Sequence, residues 1–414
     1  MQTEKKCSII IAGDLAPIGQ PGELLARGSI DMVFRNVLPV INGVDSCIVN
    51  LECPLTYMNK MLSKAGPKLK ANPSVAKALK EAGVKIASLA NNHIFDYKID
   101  GVRDTIKTLE ENSIRWYGLG ENLKEASKPL LIDIRDYRIG FLSYAEHEFN
   151  WQSDDQWCTS MLEPVENILQ IQNVAQECNA LIIFLHIGPE GTHFPSPRMI
   201  KIARAFAKAG ASAVVISHAH AIMGKEIYEE VPIVYGLGNF LFHSQTNKSL
   251  SWRLGQLVKL TFTENKNVNI ELIPFIANSD TGCLNLLSRE EITKYSIFYQ
   301  EISYSLNHGD DISEKWKIFC ASQTKHITKE ILKGFFAMCP RVLLSKIFGG
   351  KKSPGDLSYY TRGANILRGL TICENHRDML GQICDLLRKH SLREYNLKKE
   401  SLIDIEKYFT NIKI

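Results

Sequence analysis

The stretch Ile86-Ala87-Ser88-Leu89-Ala90-Asn91-Asn92-His93 is a short apolar run that stops at two amides and an imidazole. Four more runs end in a similar way: Ile9-Ile10-Ile11-Ala12-Gly13-Asp14, Cys47-Ile48-Val49-Asn50-Leu51-Glu52, Leu181-Ile182-Ile183-Phe184-Leu185-His186 and Ala213-Val214-Val215-Ile216-Ser217-His218-Ala219-His220. Apolar runs of this length read as strands buried on both faces. In an open α/β sheet, ligands bind just beyond the carboxyl ends of the strands. Five such endings on one edge gather Asp14, Glu52, Asn92, His186, His218 and His220 into one pocket. Carboxylates, an amide and three imidazoles form the donor set of a metal site.

Helical spacing alternates with these runs. Val75, Leu79 and Ala82 share a helical face and Gly83 stops it; Val102, Ile106 and Leu109 repeat the spacing, as do Met199, Ile202, Ala203 and Phe206 before Gly210. The alternation predicts βαβ units. Further β runs at residues 130–134, 139–143, 233–236, 256–262 and 268–274, the later ones hairpin-like around Asn265-Lys266-Asn267, predict mixed rather than purely parallel sheets. After about residue 285 the texture turns helical and mixed in charge, as in Ile366, Leu367, Leu370 and then Leu380, Ile383, Cys384, Leu387. The expected organisation is a domain over 1–284 and a mostly helical region over 285–414. Within the latter, Phe348 to Asp356 reads as an exposed loop, while the apolar Phe335 to Phe348, broken by Pro340, fits either an interfacial membrane helix or core packing.

Composition sets outer bounds. With 414 residues, 45% of them apolar, the prior is roughly two to three globular domains. The net charge of +4 permits an anionic substrate and is too weak to argue for nucleic acid. Ten scattered cysteines with no Cys-x-x-Cys pair argue against a disulfide framework and for a reducing compartment. The residues before Gly13-Asp14 are too few and too polar for a signal peptide or a membrane span, so the expected location is the cytoplasm.

Taken singly, each candidate ligand has an ordinary use. Asp14 also suits a turn, Glu52 a solvated loop before Cys53-Pro54, and Asn92 a helix N-cap with Asp96 in the first turn. The pair His218-x-His220 reaches one or two metals when the backbone turns sharply, and also occurs on regular strands. Their joint occurrence at successive strand ends favours the metal site.

Together the motifs carry a resemblance. Gly13-Asp14, Asn50-Leu51-Glu52-x-Pro54-Leu55-Thr56, Leu89-Ala90-Asn91-Asn92-His93-x-x-Asp96, His186-x-Gly188-x-Glu190, His218-x-His220 and Leu237-Gly238-Asn239-Phe240 stand in an order that resembles the poly-γ-glutamate capsule biosynthesis, or CapA-like, family over roughly residues 5 to 280. The resemblance implies an α/β fold of the calcineurin-like metallophosphatase type: a four-layer sandwich of two mixed β-sheets flanked by helices, here with a C-terminal helical appendage. It further implies one or two divalent metal ions, with Mn, Fe and Zn suiting the donors about equally. By motif, Asp14 and His220 would hold one metal, Asn92, His186 and His218 the other, with Glu52 between them. His93 would be the proton donor, and Glu190 an orienting residue or additional base. Ala16 stands where metallophosphatases carry a histidine, removing a ligand from the first metal.

Three functional classes follow. A metal-dependent hydrolase would act on a phosphoester or a γ-glutamyl amide of a small or polymeric anion. The alternatives are a non-catalytic or accessory component of capsule or poly-γ-glutamate synthesis, and a polyanion-binding accessory to a ligase. Weak contact with a membrane surface or an assembly falls to the C-terminal region. No P-loop and no Gly-x-Ser-x-Gly elbow is present in the sequence.

Overall fold

Val- and Ile-rich runs form strands because branched side chains suit the pleated surface, and successive residues face opposite sides. In the computed structural model, which describes residues 6–150, 156–263, 268–307, 309–338, 365–368 and 370–409, these runs build two sheets. The first begins with parallel strands β1 (Lys6–Ala16), β2 (Ser46–Leu51), β3 (Val84–Ser88) and β4 (Arg115–Tyr117). A short β5 (Leu119–Gly120) follows, and then β6 (Leu130–Ile134) and β7 (Tyr137–Ala145) open the second sheet. After β8 (Cys158–Thr159) pairs back to β5, that sheet continues with β9 (Ala180–His186), β10 (Ala213–Ser217), β11 (Ile222–Tyr228) and β12 (Val231–Leu237). Its order is β11-β12-β10-β9-β7-β6, parallel inside and antiparallel at both edges. The chain then returns to the first sheet. There β13 (Asn239–Phe242) pairs with the end of β1, and β14 (Leu254–Thr263), β15 (Val268–Ala277) and β16 (Leu284–Leu286) extend the other side.

Alternation sorts the layers. Ile9, Ile11, Ile48 and Ile86 of the first sheet meet Ile139, Phe141, Ile182, Phe184 and Val215 of the second in one buried cluster between the sheets. The intervening Ile10, Val49 and Ala87 face outward onto helices Val75–Glu81 and Lys98–Glu111 through Val75, Leu79, Val102 and Leu109. On the far side, Leu142, Ile183 and Ile216 pack against helices Pro164–Val174 and Pro197–Ala209. The result is the helix–sheet–sheet–helix sandwich of two mixed sheets expected from the sequence.

Helix Arg289–Asn307 belongs to the same outer layer. Its Phe298 and Ile302, both fully buried, join the cluster that holds Ile222 and Tyr235. Tyr295 bonds to Gln256 of β14, whose amide donates to the Gly236 carbonyl at 2.8 Å. Helix Gly309–Met338 forms a smaller cluster with helix Glu374–Arg388 through Trp316, Phe319, Met379 and Ile383. Residues 339–348 of the apolar segment and the loop expected over 348–356 lie outside the described residues. Among the described residues, no helix is long and apolar enough to cross a membrane.

Register decides where the chemistry falls. Asp14 pairs with Asn50 and with Asn239, and Asn50 with Ser88, so one row of the first sheet ends in polar side chains. In the second sheet Ser217 pairs with His186. The crossing from β12 to β13 runs tight against β1: a Cβ at Gly13 would sit 2.2 Å from the Gly238 carbonyl oxygen.

Phe298→Ala tests how far the later helix belongs to the core. Removing a fully buried ring that packs edge-on against His193 and Tyr408 is expected to cost about 3–5 kcal/mol in denaturant unfolding, with an unchanged slope. A loss below about 1 kcal/mol would show that the helix adds little to the core.

Candidate metal centre

At the end of β1, Asp14 is fully buried and surrounded by donors. Its Oδ1 accepts from Asn50 Nδ2 at 2.8 Å and from the Ser217 hydroxyl, and its Oδ2 accepts from the His218 backbone N–H at 3.1 Å. His220 Nδ1 lies 3.4 Å from Oδ2. Burial alone would raise the carboxyl's pKa. The close His220 ring, the charges of His186 and His220, and the Ser217 hydroxyl outweigh it and hold Asp14 well below the usual carboxylate range.

Glu52 is the opposite case. It follows β2 with no accessible surface, and neither of its carboxylate oxygens has a hydrogen-bond partner. Burial and then the negative charge of Asp14 push its pKa up to about 8, against the pull of His220, His93 and His218. An orphaned buried carboxylate costs several kcal/mol unless a cation compensates it.

Donor atoms converge on Glu52 from two sides. Glu52, His186 and His218 form one group and Asp14, Glu52 and His220 another, with the ligand atoms of each group within 4.8 Å of one another. His186 Nε2 stands 3.4 Å from Glu52 Oε1, 3.0 Å from His218 Nδ1 and 3.1 Å from Asn92 Oδ1. Ligands about 2.1 Å from one ion lie roughly 3.0–3.4 Å apart, and the three separations from His186 Nε2 have that spacing. Burial pushes His186 down to about 4 and keeps a lone pair available. His220 is raised to about 10: burial opposes its charge, but Glu52 and Asp14 outweigh that. Both paired histidines hold left-handed backbone, with φ of 93° at His218 and 52° at His220, so the chain turns sharply and both rings enter the cluster. Strain of this kind, of order 1–3 kcal/mol per residue, concentrates at functional sites. The orphaned carboxylate and the donor set fit one or two divalent cations.

Residues 8–244 match the family described as bacterial capsule synthesis protein PGA_cap. The chain belongs to this family. It is similar to the capsule biosynthesis protein CapA of Bacillus anthracis, at 27% identity over 65% of this chain and 67% of that protein. It is also similar to the PGA biosynthesis protein CapA of Bacillus subtilis, at 25% identity over 69% of this chain and 78% of that one. Among solved structures, a 5'-nucleotidase precursor from Thermus thermophilus aligns at 12% identity over 72% of this chain and 59% of its own, with a TM-score of 0.41.

In this PGA_cap chain, Asp14, Glu52, Asn92, His186, His218 and His220 share one buried cluster. His93 is buried beside them in a turn built by Asn91, whose Oδ1 accepts from the His93 and Ile94 N–H groups. The helix that Asn92 would cap starts only at Lys98. Asp96 is instead buried, with Oδ2 2.7 Å from His93 Nδ1 and an ion pair to the buried Lys64. Glu190 is exposed; its charge acts on His186 and His220 without a hydrogen bond to either.

Several partners were not assigned from sequence. Asn50 bridges the two groups, its Nδ2 lying 2.8 Å from Asp14 Oδ1 and 3.0 Å from His186 Nδ1. Asn239 Oδ1 takes the proton of His220 Nδ1 at 2.8 Å, which leaves Nε2 facing Glu52 at 3.9 Å. Asn50 stands near the carboxyl end of β2 and Asn239 opens β13, and these positions were the available signal. Glu148, in the loop after β7, carried none.

The full chain, purified without chelator, is expected to hold at least one transition metal ion. His186→Ala should lower metal affinity on the order of tenfold or more, because the imidazole stands within 3.4 Å of donor atoms of Glu52, His218 and Asn92. Elemental analysis showing equal content in both proteins would contradict the assignment.

Proposed function

We propose that this PGA_cap protein is a metal-dependent hydrolase that cleaves a phosphoester or a γ-glutamyl amide in an anionic envelope-polymer substrate. The observation that carries the reading is Glu52: a buried carboxylate without hydrogen-bond partners, set between two groups of imidazole and carboxylate donors. The similarity to capsule and PGA biosynthesis proteins suggests the substrate class. The mildly basic net charge of +4 is compatible with such an anion.

Glu52, Asn92, His186 and His218 would hold one ion and Asp14, Glu52 and His220 the other. Bound divalent ions would supply Lewis acidity toward a phosphoryl or carbonyl oxygen and lower the pKa of a water. The remaining chemistry falls to this chain. Asp96 accepts from His93 Nδ1, so Nε2 is the nitrogen left to hand a proton to the departing oxygen or nitrogen. Lys64 balances Asp96, donates to the Asn92 carbonyl at 3.4 Å and lies 3.2 Å from His93 Nδ1. Glu190, exposed beside the cluster, serves as an orienting residue or additional base. An accessory, non-catalytic role is the second reading, and Ala16 favours it because no further histidine, cysteine or carboxylate joins the group Asp14, Glu52 and His220 among the described residues.

His93→Asn separates these roles. The variant should retain its metal yet lose roughly 10²- to 10⁴-fold in turnover of an alkyl phosphoester or a γ-glutamyl amide, whose leaving groups need a proton. Turnover of a nitrophenyl ester, whose leaving group needs none, should fall far less. Equal losses on both esters, or loss of metal with activity, would remove His93 as the acid. Absence of turnover in the metal-loaded parent protein on either substrate class would favour the accessory reading.

A further inference from the structure

Glu148 stands in a loop that is held from several directions. Asn150 Oδ1 accepts from the Glu148 N–H at 2.9 Å, and Asn150 Nδ2 donates to the Glu146 carbonyl at 3.2 Å and to Thr159 Oγ1 at 2.9 Å. Glu146 is itself buried, paired with Arg198 and accepting from the Gly188 N–H at 3.1 Å. Helix Glu374–Arg388 meets this loop with its first turn. Glu374 accepts from His147 Nδ1 at 2.7 Å and from the His147 backbone N–H at 3.0 Å, and Cys373 Sγ donates to Glu148 Oε1 at 3.6 Å. Burial, then the nearby Glu148 and Glu146, keep that thiol protonated, so it remains a donor.

Both oxygens of Glu148 face the metal-binding cluster, Oε1 lying 3.8 Å from His218 Nε2. Glu148 Oε2 accepts from Asn92 Nδ2 at 2.8 Å, while Asn92 Oδ1 lies 3.1 Å from His186 Nε2. An asparagine amide has nearly the same shape either way round, but only its oxygen can ligate a cation. A flipped amide would turn its oxygen toward a carboxylate and its NH₂ toward the imidazoles. Glu148 therefore biases the amide in one direction.

We propose that Glu148 is a positioning residue that holds the Asn92 amide with its oxygen toward the metal-binding cluster, and that Cys373 and Glu374 of the C-terminal region hold Glu148 and its loop in place. The inference rests on the metal-centre reading given above. It assigns the C-terminal helix a direct connection to the centre, through three hydrogen bonds to a loop more than 220 residues earlier in the chain.

The test is a double-mutant cycle on the full chain, read as Mn²⁺ affinity in the absence of substrate. Glu148→Ala should weaken Mn²⁺ binding about 10- to 100-fold, the usual effect of losing a residue that orients a metal ligand. Glu148→Gln, which can still accept from Asn92, should retain most of the affinity. An aspartate at 92 presents an oxygen whichever way it turns. In the Asn92→Asp background, removing the Glu148 side chain should therefore weaken binding little or even strengthen it. If Glu148→Ala does not fold, Glu148→Met keeps the volume without the acceptor and is read in its place. The same penalty in both backgrounds would overturn the positioning role, because it would mean that Glu148 acts by its own charge or by general packing. Equal affinity of the parent and Glu148→Ala would overturn it as well. No Mn²⁺ uptake by the parent protein would instead overturn the metal-centre reading, and this inference with it.

Discussion

The burial of the Glu52 carboxylate without a hydrogen-bond partner is the constraint around which this edge of the protein is organised. A carboxylate removed from water must be protonated, hydrogen-bonded or paired with a cation. The surroundings offer almost no hydrogen bonds and an excess of nitrogen and oxygen lone pairs. Asp14 has the opposite environment, with Asn50, Ser217 and the His218 N–H all donating to it. Two carboxylates a few ångströms apart thus occupy contrasting sites, one kept ionised by the protein and one left for something the protein does not itself provide. His220, tied to Asp14 on one side and facing Glu52 on the other, connects them.

The sandwich makes this arrangement possible. Parallel strands end together, so the row Asp14, Asn50 and Ser88 of one sheet comes to the same edge as Ser217 and His186 of the other. The pairing of β1 shifts register between Ile11 and Asp14 and again between Asp14 and Leu15. Irregularities of this sort re-aim a side chain where a regular ladder would not. The tight return at Gly238 then brings Asn239 alongside and fixes the His220 ring. Backbone geometry, more than any single strong bond, sets the separations among the donors.

Much of this was legible in the sequence because strands buried on both faces are continuous apolar runs, and their ends are visible where the apolar character stops. The runs at Ile9, Cys47, Ile86, Leu181 and Ala213 each became a strand, and the polar residues at their ends came together. What escaped was the set of partners that act through space. Asn50 looks like an ordinary strand residue until the second sheet brings His186 to it. Glu148 is joined to Asn92 by the fold alone, and to Cys373 across 225 positions of sequence. Asp96 read as a first-turn acid because Asp often complements a helix N-terminus; the turn formed by Asn91 postponed the helix and left Asp96 for His93. The stripe of Tyr295, Phe298 and Ile302, which packs on the outer face of the second sheet, escaped as well; the helical spacing legible in the later region was that of Ile366, Leu367 and Leu370 and of Leu380, Ile383, Cys384 and Leu387.

The most direct measurement is anomalous diffraction from crystals of the full chain grown with Mn²⁺ or Zn²⁺ and collected on either side of the metal's absorption edge. The account requires a peak bonded to Glu52, His186 and His218 together, with Asn92 contributing its oxygen; a second, weaker peak would lie between Asp14, Glu52 and His220. A map without a peak at Glu52, in which that carboxylate is satisfied by hydrogen bonds to ordered water or to rearranged side chains, would contradict it.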